Sequence, residues 1–155
     1  MPTPTHNAAL AYSQRGWSVL PLRWTGPVED RKKPLLDSWE SFQRTPAGPD
    51  QIEGWWRQWP DANVGIVMGK VSGLVAVDLD GPNATALIQQ AGIFLPKTAS
   101  VKTGKGWHAL YRHPGTSPPN KARLLKHDSG SAVDIRGDGG YIVAAVGQRD
   151  AGGTG

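Results

Sequence analysis

Between residues 7 and 15 apolar side chains recur at helical spacing, and Gly16 suits the position just past a helix end. Residues 17–22 then read as a strand closed by Pro21 and Arg23, and 25–36, rich in proline and charge, as a loop. Asp50-Gln51-Ile52-Glu53 has the form of a capping box, predicting a helix that Pro60 ends. An apolar strand is expected over 63–68. The glycines of 69–73 turn the chain into a second strand at 74–80, and these two strands are expected to pair. Pro82 suits the first turn of a helix running to Gln90 and stopped by Gly92. Residues 101–103, 108–112, 133–135 and 141–145 are further strands, while 114–126 reads as a polar connection containing Lys121, Arg123 and Lys126. The pattern predicts an α/β chain, of the α+β kind with a mixed sheet, its strands clustered in the second half.

The strand Leu74-Val-Ala-Val-Asp78-Leu-Asp80 changes that picture most. Successive side chains of a strand alternate between faces, so Asp78 and Asp80 share one face while Val75, Val77 and Leu79 share the other. Two adjacent carboxylates repel unless a positive group lies between them. A hard divalent cation, Mg²⁺ or Mn²⁺, is the expected answer.

Composition narrows the chemistry. The chain has 155 residues, a formal charge of +4 and no cysteine, which excludes disulfides, thiolate metal sites and cysteine nucleophiles here. No apolar run reaches the length of a membrane span and nothing resembles a signal peptide, so a soluble, cytoplasmic protein without a membrane partner is expected. The positive balance is compatible with a polyanionic partner. Seven tryptophans are many for this length. Trp55, Trp56 and Trp59 could stack on bases, but their spacing favours a helix anchored by its tryptophan face. Arg31-Lys32-Lys33 is either solvated surface or a nucleic-acid contact. One domain over 1–150 is expected, with 151–155 the start of a linker.

Two further constellations accompany the acids. In Lys102-Thr103-Gly104-Lys105-Gly106-Trp107-His108 two glycines let backbone N–H groups approach an anion, and His108 follows at the start of a strand. The spacing is not that of a P-loop. In Val133-Asp134-Ile135-Arg136, Asp134 is either a third metal-facing acid or the structural partner of Arg136. Together these parts suit two-metal phosphoryl transfer.

Ala9, Tyr12, Gly16-Trp17, Lys33-Pro34-Leu35, Trp55-Trp56, Trp59-Pro60 and Asn63-Val64-Gly65, in that order, resemble the bifunctional DNA primase/polymerase N-terminal domain of the archaeo-eukaryotic primase superfamily. Asp78-Leu79-Asp80 is similar to its first catalytic motif, Thr103 to His108 to its second, and Asp134 to Tyr141 to its third. Trp107 departs from the pattern, standing where the family has a second glycine. The resemblance implies a primase catalytic core with a small N-terminal α/β lobe. It implies that Asp78, Asp80 and Asp134 bind the metals and are catalytic. Thr103, Gly104, Lys105, His108 and Arg136 would bind nucleotide, and Lys33, with Lys32 and Arg31, would contact nucleic acid. The implied partners are a single-stranded DNA template and nucleoside triphosphates, ribo or deoxyribo. The context is a phage, plasmid or other mobile element, with room for a helicase as a domain or partner protein.

Two other readings compete. An aspartate-nucleophile phosphatase also opens on Asp-x-Asp-Gly, but Pro82 stands where its threonine belongs. A single-stranded nucleic-acid binding module explains the charge and the tryptophans. It does not explain three acids in a groove that must receive phosphates.

Overall fold

A computed structural model describes residues 2–102, 106–116 and 120–144. The expected linker start at 151–155, Ala145, and the candidate nucleotide contacts Thr103, Gly104 and Lys105 lie outside these residues. The chain divides into two compact units, one of residues 1–66 and 143–155, the other of residues 67–142.

The first unit begins with α1 (Pro4–Gln14), whose N-cap Thr3 accepts from the His6 N–H at 3.3 Å. Pro4 at the first turn carries no N–H to satisfy, so the helix starts three residues earlier than its apolar spacing suggests. Gly16 follows the C-cap with φ 87°, as expected. The second helix, α2 (Pro49–Gln58), also starts earlier than the acidic motif predicts. Gly48 is its N-cap and Pro49 its first residue, which leaves Asp50 within the first turn rather than capping it. Ile52, Trp55 and Trp56 are buried, so two of the three clustered tryptophans are core. The Trp56 indole N–H lies 3.2 Å from Thr5 Oγ1 and 3.3 Å from the Ala62 carbonyl, which ties α2 to α1 and to the following turn. Strands β1 (Val19–Leu22) and β2 (Asn63–Val67) pair antiparallel, Val19 against Ile66, and β2 lies between β1 and the later strand β8 (Tyr141–Val143).

The second unit is built on a five-stranded sheet. Its strands are β3 (Leu74–Asp80), β4 (Ser100–Lys102), β5 (Gly106–Arg112), β6 (Lys121–Lys126) and β7 (Ala132–Arg136), in the order β4-β5-β3-β7-β6. All four pairings are antiparallel. The helix α3 (Ala84–Gln90) covers one face, where Ala84, Ile88 and Val133 form a buried cluster with Val77, Leu79, Leu87, Leu95 and Leu125 around it. Its N-cap is Asn83, so Pro82 lies before the helix instead of in its first turn.

Two expectations are corrected. β2 and β3 do not pair. Gly69 and Gly73, both at positive φ, close a turn joined by the Gly69 N–H to Leu74 carbonyl bond, and this turn carries the chain from one sheet into the other. Residues 121–126, expected as part of a connection, form the edge strand β6. Charged residues are common on edge strands, where they discourage pairing with another chain. That is why this strand reads as a loop in sequence.

Candidate active site

The face of the five-stranded sheet turned away from α3 gathers the predicted acids. Directly opposed residues of antiparallel strands share a face, with Cα atoms about 4.5–5.5 Å apart. Asp78 on β3 is opposed by His108 on β5 and by Asp134 on β7. His108, Asp78 and Asp134 therefore form one row across three strands. Asp80 lies one pleat further along β3 on the same face, opposed by Gly106 and Ala132. The alternation places Val77 and Leu79 on the α3 side, as the sequence pattern requires.

Each carboxylate of the row has a nitrogen-bearing neighbour. His108 Nε2 lies 3.3 Å from Asp78 Oδ1, with the two side chains 11% and 20% exposed. Arg136 Nη2 donates to Asp134 Oδ2 at 3.0 Å. The pairing of Asp134 with Arg136 is as one of its two readings expects, and Asp134 also stands opposite Asp78 in the sheet. Like charges directly opposed in a sheet are destabilising, and the Arg136 guanidinium beside Asp134 offsets part of that cost. One polar atom of the row is left over: His108 Nδ1 is buried and has no hydrogen-bond partner among the described residues, an arrangement that costs about 1–3 kcal/mol unless another group arrives.

The donor chemistry fits a hard divalent cation: carboxylates on neighbouring strands, on one face, half-buried. Among the described residues, however, no three histidine, aspartate or glutamate side chains are gathered into one ligand group.

Local structure explains the position of the row. Gly106 opens β5 pressed against β3, where a Cβ would collide with the Leu79 carbonyl oxygen. After Asp80, Gly81 turns with φ 90° directly against Ser131, and a Cβ there would strike the Ser131 side chain and backbone. Ser131, 2% exposed, accepts the Asn83 N–H on Oγ at 3.1 Å. The end of β3 is thereby fixed to the start of β7. Trp107 faces the α3 side opposite Leu79, so its bulk is kept off the acid-bearing face.

The basic run lies in the first unit, in the loop that follows β1. Arg31 Nε donates to the Gly26 carbonyl at 2.9 Å, and Lys33 Nζ reaches Asp30 Oδ1 at 2.6 Å. That bond and the lysine charge hold the Asp30 carboxyl below its ordinary value. Lys32 has φ 92°, a conformation that favours glycine. Sequence reasoning gave no role to Ser131, which fixes the end of β3, and read Lys126 as part of a connection when it stands on a strand beside the acid-bearing row. The alternation of Leu125 with Lys126 on either side of a strand is the signal that could have found that strand.

The profile of one family, described as "Bifunctional DNA primase/polymerase, N-terminal", matches residues 9–154. No curated protein matches the chain. Among the described residues no helix is long and apolar enough to cross a membrane.

Proposed function

From the premise that the chain belongs to the bifunctional DNA primase/polymerase N-terminal family, we propose that it joins nucleotides along a single-stranded DNA template, making primers, extending them, or both. The observation that carries this reading is the row His108–Asp78–Asp134 on one face, with Asp80 beside it.

In this reading Asp78, Asp80 and Asp134 hold Mg²⁺ or Mn²⁺. A divalent cation bound there would stabilise charge on the α-phosphate and ease deprotonation of the attacking hydroxyl. Arg136 fixes the Asp134 carboxylate through its 3.0 Å bond. In its imidazolium form His108 directs Nε2 toward Asp78 and has Nδ1–H for a phosphate oxygen, which would satisfy the buried atom that lacks a partner. A 3′-hydroxyl attacks the α-phosphate, a new phosphodiester bond forms, and the α–β anhydride bond breaks. Pyrophosphate leaves with the electron pair, and the hydroxyl proton passes to solvent.

The test is a gel assay on single-stranded DNA, with and without an annealed primer, using labelled nucleotides and Mg²⁺ or Mn²⁺. New strands without primer, lost in the Asp78→Ala/Asp80→Ala variant, are expected of a primase. Extension only with primer restricts the reading to a polymerase core. Absence of synthesis, together with single-strand binding that persists equally after Asp78→Ala, would overturn it in favour of a binding module.

A further inference from the structure

The acid-bearing face carries a second row beside the first. From β5 to β6 it reads Gly106, Asp80, Ala132, Lys126. Gly106 has no side chain and can have none, because of the Leu79 carbonyl. Ala132 is 3% exposed and adds a single methyl group. Asp80 thus stands between two of the smallest residues. The first long side chain toward the β6 edge is Lys126, two strands away at about 10 Å between Cα atoms.

The position of Lys126 relative to Asp80 is fixed by hydrogen bonds. Beyond Lys126 the turn is closed by His127 N–H to the Ser131 carbonyl at 2.8 Å and Gly130 N–H to the His127 carbonyl at 3.0 Å. Ser129 Oγ donates to Ser131 Oγ at 3.2 Å and accepts from the Asn83 side-chain amide at 3.0 Å. Ser131 in turn meets Gly81, the residue after Asp80. The segment that presents Lys126 and the segment that follows Asp80 are tied through the same two serines.

The cations of this face differ in what already holds them. Arg136 is engaged by Asp134. Lys126 is exposed and makes no ion pair among the described residues. A polyphosphate approaching three acids meets repulsion that only cations on the same face can offset. A lysine ammonium serves as a point charge for that purpose.

We propose that Lys126 is a phosphate-holding residue of this site, its ammonium binding the triphosphate of the incoming nucleotide as it lies over Ala132 beside Asp80. The proposal rests on the nucleotidyl-transfer reading. It assigns a contact to β6, a segment that the sequence pattern reads as part of a connection.

The test is equilibrium binding, by fluorescence anisotropy, of a labelled nucleoside triphosphate and of a labelled single-stranded oligonucleotide. Both would be titrated with the parent protein, Lys126→Ala and Lys126→Arg, in Mg²⁺. Lys126→Ala is expected to weaken triphosphate binding about tenfold, the size of one charge-assisted hydrogen bond, and Lys126→Arg to recover most of the loss. Oligonucleotide affinity and Tm should stay close to the parent's, because the side chain is exposed. In primer extension the same loss should appear in KM and not in kcat. A loss confined to the oligonucleotide would overturn the assignment and make Lys126 a template contact. Unchanged triphosphate affinity would also overturn it. A parent protein that binds triphosphate through Lys126 yet never extends a primer would sink the catalytic reading alone. One that extends primers with Lys126→Ala unaffected would sink this inference alone.

Discussion

Two histidine–aspartate pairs lie in the second unit, with nearly equal separations and different surroundings. His113 Nε2 is 3.2 Å from Asp138 Oδ1, and His113 Nδ1 accepts the Gly115 N–H at 3.1 Å. Nδ1 therefore carries no proton, and Nε2–H donates to Asp138. Asp138 Oδ1 also accepts the Lys70 N–H at 3.2 Å and lies against Gly69, where a Cβ would strike it. Both imidazole nitrogens are satisfied, and the pair pins three turns together. His108 and Asp78, 3.3 Å apart, are left with a buried Nδ1 that has no partner among the described residues. A satisfied, half-buried pair contributes to the fold. A pair with an unpartnered atom, set beside two further carboxylates, is the feature on which the proposed function draws.

Breaking each pair should separate these roles. The largest effect is expected from Asp78→Asn, which should abolish nucleotide transfer while leaving Tm near the parent value, as measured by primer extension and thermal melting. Asp138→Ala should do the reverse. It strips partners from the His113 imidazole, only 6% exposed, and from the Lys70 N–H. The expected loss is about 2 kcal/mol of stability, several degrees in Tm, with activity retained at temperatures where the protein is folded. His108→Ala should raise the nucleotide KM about tenfold without a comparable change in template affinity; an unchanged KM would remove the phosphate role of the imidazole.

The first unit supplies smaller effects. Lys32→Gly should stabilise the fold by about 1 kcal/mol by relieving the positive φ. If the basic loop touches DNA, the same change should weaken single-strand binding, so stability and affinity would move in opposite directions. Smallest is the pH effect at Asp30. Its folded-state pKa is lowered by Lys33 from an ordinary value near 3.8. The pair's contribution is thus present above that value and is lost as pH falls through the lower folded one. Asp30→Asn should remove this dependence, seen in Tm measured from neutral to strongly acid pH.

Much of the site is legible in sequence because strand alternation is local. Asp78 and Asp80 declare a common face within seven residues, whereas Gly106, read in sequence as an approach to an anion, is required by the Leu79 carbonyl of β3. The row itself is not local. That Asp78 meets both His108 and Asp134 depends on β3 lying between β5 and β7, which a single sequence does not state. The expected β2–β3 hairpin failed for a related reason. Glycines at 69 and 73 are compatible with a hairpin, and only the positions of the other strands decide that the turn leads into another sheet. β6 was hidden by its edge position, where lysines replace the apolar alternation of a covered strand. At α2 the capping motif was outcompeted by Gly48-Pro49, which satisfies the helix start two residues earlier.

The most direct measurement compares Asp78→Asn with Asp138→Asn in one experiment, reading primer extension and Tm for each. Expected is loss of synthesis with an intact melting transition for Asp78→Asn, and a lowered transition with preserved synthesis for Asp138→Asn. Full synthesis by Asp78→Asn would contradict the assignment of the His108–Asp78–Asp134 row as the catalytic site.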